Sequence, residues 1–367
     1  MKSDDTKFML RAITVGEMGR ISTAPNPWVG CVIVKDDRVL SEGYHKRKGG
    51  PHAEIAAFRN LQSIDEAHGS TLYVTLEPCC HFGSTPPCTS AILDAKVARV
   101  VIAIGSDPDE NVNGGGVEIL RSAGVEVVVG VCEREATASL EPYLFQRRTG
   151  RPYVVAKVGC SLNGLVAYQD GTSQWITSEA SRSEAMQIRR SCQAILVGVG
   201  TVLTDNPRLT LRGSDLEDRG IIPFTRVVID PHAKLSQQEQ LNVLSDGAGP
   251  TIIFTCSEVG NLSHPQVEWI KMEAPLDLRS ILLELGRRGF IQVLVEGGAT
   301  TIKHFMEGGL VNRFTVFMSP SLIGSGGLPF YTRADPTSVH APQVRFKLES
   351  VKAVTDGDGD IRIDYTV

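Results

Sequence analysis

The sequence predicts an α/β protein made of two domains. Short apolar runs with strand character alternate with segments that repeat apolar residues at helical spacing, which is the pattern of a layered α/β fold. The chain has 367 residues, more than one ordinary hydrophobic core accommodates. A polar stretch from Gln146 to Pro152 separates two such alternating series, so we expect domains of residues 1–146 and 147–367.

Composition and charge limit the classes of protein to consider. With 42% hydrophobic and 22% charged residues, the chain is typical of a water-soluble globular protein. No signal peptide or membrane span is recognisable, and the eight scattered cysteines favour reduced thiols in a cytoplasm. The net charge of −5 argues against nucleic-acid binding. The longest basic run, Lys46-Arg47-Lys48, fits either a phosphate contact or a solvated turn.

The first domain begins with a helical pattern from Lys7 to Gly19. A turn then leads into a buried strand, Val29 to Val34. The pair Asp36-Asp37 indicates a turn, so Val39 to Tyr44 is predicted to be the hairpin partner of that strand. His45 follows the hairpin and is a candidate for the wall of a pocket.

The rest of the first domain alternates helices with strands. The strand Thr71 to Leu76 ends at Glu77-Pro78-Cys79, and α/β sheets place their sites at such carboxyl ends. The predicted elements, in order, are the helix His52–Leu61, the strand Thr71–Leu76, the helix Cys88–Lys96, the strand Val100–Ile104, a helix ending at Ala123 and the strand Glu126–Val131.

The stretch from Pro51 to Ser90 carries the pattern of a catalytic zinc site. His52-Ala53-Glu54 is followed by Pro78-Cys79 and by a further cysteine, Cys88. In zinc-dependent deaminases with this signature, one histidine and two cysteines hold the ion, and the glutamate stays off the metal as proton shuttle. We therefore predict His52, Cys79 and Cys88 as the zinc ligands and Glu54 as the catalytic residue.

Physical chemistry favours this division of roles. Three protein ligands leave a fourth position open for water, whereas a structural site is closed by a fourth protein ligand. A metal-bound water loses its proton near neutral pH, and a nearby carboxylate can carry that proton to a leaving nitrogen. The spacing is unusual because Cys88 comes nine positions after Cys79. We expect the intervening segment, which includes His81, to lie over the pocket.

The second domain has a longer series of elements. Its turn at Gly159 to Gly164 is rich in small residues and would let a flat cofactor approach the backbone. A strand, then Gly297-Gly298, then a helix is either an anion site or a plain tight turn, and both interpretations stay open. The predicted elements are the strands Tyr153–Val158, Ala194–Val199, Arg226–Asp230, Thr251–Thr255 and Gln292–Glu296, a helix from Ser178 and a helix through Phe305.

Several motifs together are highly specific. They are Asn26-Pro27-Trp28-Val29-Gly30, His52-Ala53-Glu54, Glu77-Pro78-Cys79, Thr85-Pro86-Pro87-Cys88, Trp175-Ile176-Thr177, Val197-Gly198-Val199-Gly200-Thr201, Asp205-Asn206-Pro207 and Val295-Glu296-Gly297-Gly298. With these motifs the chain resembles the family of bifunctional riboflavin-biosynthesis deaminases/reductases, over nearly its whole length.

That resemblance implies a fold and two reactions. The fold would be a cytidine-deaminase-like three-layer α/β/α domain followed by a dihydrofolate-reductase-like α/β domain. The first domain would hydrolytically remove the 2-amino group of 2,5-diamino-6-ribosylamino-4(3H)-pyrimidinone 5′-phosphate, and the second would reduce the ribosyl group to ribityl. The implied cofactors are one Zn²⁺ per chain and NADPH. The implied partners are small phosphorylated pyrimidines, with a homodimer or larger homo-oligomer expected.

The resemblance also assigns residues in the reductase half. The positions that align with NADPH contacts are Gly159, Trp175, Thr201, Asp205, Gly298, Ala299, Thr300, Thr301, Ile302, Lys303 and His304. The positions that align with substrate contacts are Ser173, Arg189, Leu209, Arg212 and Glu296, and the two arginines would hold the substrate phosphate. Many family members have a basic residue where this chain has Ser84, so we expect His45, His81 or Lys46 to supply that charge instead.

Two alternatives use the same residues differently. The first is a zinc nucleoside or tRNA deaminase with an accessory domain, because such enzymes share the zinc pattern. The second is a binding protein in which the histidine and cysteines form a structural zinc clip. In the second case Glu54 would be dispensable.

Overall fold

The computed structural model describes residues 3–82, 86–109, 114–173, 175–212, 222–238, 240–259, 264–331, 344–355 and 359–367. Two compact units divide between Arg151 and Pro152. The sequence placed the boundary at 146/147, a position that lies inside a helix continuing to Thr149. Within the described residues, no helix has both the length and the apolar character needed to cross a bilayer.

The first unit contains one mixed sheet of five strands. Its elements are α1 Ser3–Glu17, β1 Gly30–Lys35, β2 Arg38–Tyr44, α2 Ala53–Arg59, a 3₁₀ helix Ile64–Ala67, β3 Thr71–Leu76, α3 Cys88–Asp94, β4 Arg99–Ile104, α4 Gly116–Ser122, β5 Glu126–Val129 and α5 Glu133–Thr149. The strand order is β2-β1-β3-β4-β5, with β1 antiparallel to β2 and β3 and the remaining pairs parallel. The predicted hairpin of β1 and β2 is confirmed.

Helices cover both faces of this sheet. Ile33 and Leu72 belong to a buried cluster that includes Ala57 of α2 and Ile92 of α3. Neighbouring residues on a strand point to opposite faces, so Tyr73 lies on the other side of the sheet. There its ring contacts Phe8 of α1, with 5.3 Å between centroids. The three-layer α/β/α arrangement is therefore as expected.

Two details of the first unit differ from the sequence-based expectation. His52 is the residue before α2, with extended backbone, and does not lie in the first helical turn. Helix α5 was not predicted, although Ala136, Leu140 and Tyr143 are buried at helical spacing. Its Pro142 weakens the helical signal, because proline ordinarily interrupts a helix interior.

The second unit is built on a sheet of nine strands. Its elements are β6 Tyr153–Cys160, β7 Leu165–Ala167, α6 Glu179–Arg190, β8 Ala194–Gly198, α7 Val199–Asp205, β9 Thr225–Ile229, a 3₁₀ helix Lys234–Gln237, α8 Asn242–Ser245, β10 Thr251–Thr255, β11 Val267–Lys271, α9 Leu278–Arg287, β12 Gln292–Gly297, α10 Ala299–Glu307, β13 Arg313–Met318, β14 Leu328–Pro329, β15 Lys347–Ala353 and β16 Ile361–Thr366. The order is β11-β10-β9-β8-β12-β6-β13-β16-β15, and β7 pairs separately with β14.

The parallel strands of this sheet position the second site. From β11 to β13 all neighbours are parallel, and β8, β9, β10 and β12 are apolar runs because both of their faces are covered. Strands β8 and β12 are adjacent, and each is followed at once by a helix, α7 at Val199 and α10 at Ala299. Their carboxyl ends therefore bring two glycine-rich turns together at one edge.

Candidate active sites

Three predicted metal ligands converge in the first unit. His52 precedes α2, Cys79 follows β3, and Cys88 is the first residue of α3. The Nδ1 atom of His52 lies 3.4 Å from the sulfur of Cys79 and 3.4 Å from that of Cys88. All three ligand atoms lie within 4.8 Å of one another. One nitrogen and two sulfurs at this spacing suit a zinc ion.

Glu54 stands beside this cluster without belonging to it. Within the described residues, no other three His, Cys, Asp or Glu side chains bring ligand atoms so close together, and Glu54 is outside the set. Its side chain lies in the first turn of α2 and is only 3% exposed. The arrangement fits three protein ligands with a neighbouring carboxylate and does not fit a closed structural site with four ligands.

Burial and close contact perturb the ionisation of these groups. Burial raises the pKa of Glu54, and the neighbouring Cys79 charge raises it further. A hydrogen bond with Cys88 lowers the pKa of Cys79 to about 4, and the same contact raises the pKa of Cys88. Thiolates are the metal ligands, so a divalent cation bound here would displace the thiol protons.

A cavity of about 210 Å³ opens beside the cluster. His45 lines it, as expected from the sequence, and is almost fully buried. The carbonyl of Pro51 can only accept, so His45 donates from Nδ1 at 2.9 Å and accepts from Asn26 at Nε2 at 3.1 Å. The remaining lining residues are Pro27, Val29, His52, Glu54, Leu76, Glu77, Cys79, His81, Asp107, Asp109, Tyr143 and Arg147.

The three candidates for a phosphate contact have different positions. His81 lines the cavity, and so does His45. Lys46 is exposed and does not line it. Ser84, where the family has a basic residue, lies outside the described residues. The phosphate contact itself stays a prediction.

Two pairs of contacting residues on the cavity wall were not predicted from the sequence. The hydroxyl of Tyr143 donates to both oxygens of Asp107, at 3.0 and 3.1 Å, and Arg147 forms an ion pair with Asp109 at 2.8 Å. Burial raises the pKa of Asp107. Tyr143 and Arg147 belong to α5, so recognising its apolar spacing would have added both to the candidate residues.

A second cavity, of about 710 Å³, lies in the second unit at the carboxyl ends of β8 and β12. Most of the positions predicted to contact NADPH line it, and Lys303 does not. Of the predicted substrate positions, Ser173 and Glu296 line it. The NADPH positions on its wall are Gly159, Trp175, Thr201, Asp205, Gly298, Ala299, Thr300, Thr301, Ile302 and His304.

The other three predicted substrate residues lie off this wall. Arg189 places Nη2 2.7 Å and Nε 3.1 Å from the carboxylate of Glu296. Leu209 is buried in a core cluster, and Arg212 is exposed. The guanidinium of Arg189 therefore holds a protein carboxylate here, and its predicted role as a phosphate clamp stays a prediction.

Glu296 is an ionised group on the cavity wall. Burial alone would raise its pKa, but the charges of Lys157 and Arg189 outweigh burial and lower the pKa below its usual range. The Nζ of Lys157 lies 3.8 Å from Oε2 of Glu296 and also lines the cavity. Nothing in the spacing of the sequence singled out Lys157, because it meets Glu296 only across neighbouring strands β6 and β12.

The glycine-rich edge of this cavity leaves backbone accessible to a ligand. A side chain added at Gly200 or Gly297 would meet no other described atom within 4 Å. Helix α10 starts after Gly298 without a side-chain cap, so its first N–H groups remain available to an anion. A cavity of this size and donor pattern fits a dinucleotide with its phosphates at that helix end.

Known protein families match both halves of the chain. Residues 2–104 match the family model described as the cytidine and deoxycytidylate deaminase zinc-binding region, and residues 152–358 match the RibD C-terminal domain. The riboflavin biosynthesis protein RibD of Chlamydia trachomatis is 41% identical over 92% of this chain and 90% of its own length. The chain belongs to the RibD family.

Three further relatives also match nearly the whole length of this chain. The Escherichia coli K12 RibD protein is 37% identical over 94% of this chain and 95% of its own. The crystal structure of a diaminohydroxyphosphoribosylaminopyrimidine deaminase/5-amino-6-(5-phosphoribosylamino)uracil reductase from Thermotoga maritima is similar, with a TM-score of 0.87 and 36% identity, covering 99% of this chain and 98% of that one. Acinetobacter baumannii RibD gives a TM-score of 0.86 at 35% identity, covering 99% and 98%.

As a RibD protein, the chain is a bifunctional deaminase and reductase of riboflavin biosynthesis. It has a zinc-binding deaminase domain and a RibD reductase domain. The resemblance that the sequence motifs indicated is confirmed, as is the two-part α/β fold. The alternative of a zinc nucleoside or tRNA deaminase with an accessory domain is not supported, because the second unit matches the reductase domain of the same family.

Proposed function

We propose that the first unit deaminates 2,5-diamino-6-ribosylamino-4(3H)-pyrimidinone 5′-phosphate and that the second reduces the ribosyl group of the deaminated product to ribityl with NADPH. The observation that carries this proposal is the convergence of His52, Cys79 and Cys88 beside a cavity, with Glu54 outside the ligand set. The name of the Thermotoga maritima enzyme, which states both activities, supports the choice of substrate.

In the deaminase half, His52, Cys79 and Cys88 would hold the zinc ion. Bound there, zinc supplies a Lewis acid that lets water lose a proton near neutral pH. The carboxylate of Glu54 takes that proton and delivers it to the departing nitrogen, so water replaces the amino group at C2 and ammonia leaves. Burial of Glu54 supports this role, since a raised pKa lets a carboxyl group hold the proton between the two transfers.

In the reductase half, the glycine-rich edge and the N-terminus of α10 would bind NADPH. The cofactor supplies a hydride. The open, imine-like form of the ribosylamine would accept the hydride at C1′ and a proton from water at its nitrogen, which gives the ribitylamine. The proposed substrate contacts are Ser173, Arg189, Leu209, Arg212 and Glu296. The ionised Glu296, held by Lys157 and Arg189, places fixed charge on the wall of the proposed substrate site.

Separate assays of the two products test this proposal. The purified protein, loaded with zinc, is incubated with the diaminopyrimidinone and NADPH, and ammonia and NADPH oxidation are followed independently. We expect one ammonia and one NADP⁺ per substrate, with ammonia release also in the absence of NADPH. Absence of either product under these conditions would contradict the proposal.

We also propose the domain limits, the oligomeric state, the location and the small-molecule partners of the protein. The deaminase occupies the unit that ends at Arg151 and the reductase the unit that begins at Pro152, a few residues beyond the 146/147 boundary expected from the sequence. The chain forms a homodimer or larger homo-oligomer. A cytoplasmic location is supported by the eight cysteines, all of which have free thiols in the structure. NADPH, one zinc ion and phosphorylated pyrimidines are the proposed small-molecule partners.

A further inference from the structure

A short loop, Trp175–Thr177, forms one wall of the second cavity. We name it the tryptophan loop. The indole of Trp175 is 60% exposed, so apolar packing does not fix its position. An aromatic ring that must meet a flat ligand in one orientation needs another source of rigidity.

Arg182 holds the tryptophan loop from the side of α6. Its guanidinium carbon lies 4.4 Å from the centroid of the Trp175 ring, which is a cation–π contact. Its Nη1 donates to the carbonyl of Thr177 at 2.7 Å. One side chain thus contacts both ends of the loop.

Asp360 holds the same region from the C-terminal part of the chain. It is 2% exposed, and its Oδ2 accepts hydrogen bonds from the backbone N–H and hydroxyl of Ser178, both at 2.8 Å, and from the hydroxyl of Ser181. Ser178 is the N-cap of α6 and directly follows the tryptophan loop. A carboxylate at this helix end is favoured by the dipole and by three donors, so it fixes where the loop meets the helix.

We propose that Asp360 and Arg182 are positioning residues of the reductase, which hold Trp175 in the orientation that contacts the cofactor. This inference rests on the proposed NADPH-binding function of the second unit. Asp360 lies more than 180 residues along the chain from Trp175, and it acts through Ser178 and not by touching the cofactor. Its contribution is therefore to cofactor affinity, with no part in proton or hydride transfer.

The test is a set of single and double variants measured by calorimetric titration with NADPH. Asp360→Asn replaces a charged acceptor of three hydrogen bonds with an amide of the same size, and Arg182→Ala removes the other support. We expect each to weaken NADPH binding on the order of tenfold, because hydrogen bonds to a charged group are involved. Ammonia release and zinc content should stay at wild-type values in both.

A matched control comes from the same helix. Glu184 of α6 also ties this helix to the C-terminal strands, through Arg362 at 3.1 Å and Lys352 at 3.0 Å, but contacts no part of the tryptophan loop. Glu184→Gln should leave NADPH affinity unchanged. A loss equal to that of Asp360→Asn would show that any loosening of α6 has the same effect, and would overturn the inference.

The double variants separate positioning from general damage. In a Trp175→Ala background, Asp360→Asn should cause no further loss of NADPH affinity, because the residue it positions is gone. A full additional loss in that background, or unchanged affinity in both single variants, would overturn the inference. If Asp360→Asn does not fold, Arg182→Ala and its double variant decide the question. Because Arg182 also lines the cavity, a further loss in the Trp175→Ala background would mean that it contacts the cofactor directly and would overturn its positioning role. Failure of the wild-type protein to bind NADPH would instead refute the proposed function.

Discussion

At the residue scale, the zinc cluster was predictable because its ligands lie in short, recognisable sequence motifs. His52 and Glu54 are two positions apart, and Cys79 is placed by the end of a strand that the sequence shows clearly. Lys157 was not predictable, because its partner Glu296 comes from a strand far along the chain. An ion pair between strands that are distant in sequence produces no recognisable local spacing, so sequence patterns cannot predict it.

Cys88 offers the most direct residue-level prediction. Cys88→Ser replaces one sulfur of the ligand set with a hydroxyl that is a poor zinc ligand, so we expect the metal content of the purified protein to fall well below one zinc per chain. Ammonia release should be lost with the metal. Cys31→Ser, in a buried cysteine of the same unit outside the ligand set, is the control and should retain zinc. Full zinc occupancy in Cys88→Ser would contradict the ligand assignment.

Arg189 offers a second prediction at the scale of a single residue. Arg189→Ala leaves the buried carboxylate of Glu296 with Lys157 at 3.8 Å, so we expect the kcat/KM of the reductase to fall by about 10- to 100-fold. Deamination should be unaffected. The control is Arg287→Ala, whose side chain is largely exposed on α9. Equal losses in deamination and reduction would argue against independent sites.

At the element scale, the sequence predicted most strands and helices up to β12. It missed β7, α5, α7, α8, β11 and α9, and it predicted no strand after α10. Strands β1, β3, β8 and β10 are apolar runs with clear ends, which is why their assignments hold. Helix α5 was missed although Ala136, Leu140 and Tyr143 recur at helical spacing, and its Pro142 weakens that signal. Among the strands after α10, none of which was predicted, β15 has every residue exposed and therefore no buried side to produce an alternating pattern.

The contact between α1 and β1 depends on a glycine. A Cβ at Gly30 would lie 2.0 Å from the carbonyl oxygen of Ala12 and 2.5 Å from the backbone N of Gly16, and backbone cannot move aside. We expect Gly30→Ala to lower the free energy of unfolding of the first unit by about 2–3 kcal/mol, as overpacking does. Thermal unfolding measures this loss of stability. Gly324→Ala, at a position with open space in the described structure, is the control, and equal shifts would refute the packing argument.

Helix α5 should matter for deamination through Tyr143. Tyr143→Phe removes the hydroxyl that donates to Asp107, so we expect the kcat/KM of deamination to fall by about 3- to 10-fold, with reduction unchanged. Tyr73→Phe is a matched control, because it removes a similar buried bond to Asp5 away from the cavity. Identical deamination rates in the two variants would show that α5 has no functional part in the cavity.

At the scale of the whole molecule, two units carry two separate sites. Among the residues that the structure describes, each cavity is lined by its own unit, 26–147 in the first and 157–330 in the second. The family resemblance predicted this organisation from motifs spread over nearly the full chain. The walls of the cavities could not be predicted in full, because strand order decides which loops meet, and adjacency of β8 and β12 is a property of the folded sheet.

Glu54 is the proton carrier on which deamination in the first unit depends most. Glu54→Gln keeps the size of the side chain but cannot exchange a proton, so deamination should fall by about 100- to 10,000-fold. The decisive measurement is ammonia release from the diaminopyrimidinone, with zinc content and NADPH oxidation on the already deaminated substrate recorded for the same preparation. We predict loss of ammonia release with full zinc content and wild-type NADPH oxidation. Ammonia release at the wild-type rate would contradict the account and indicate a structural zinc site.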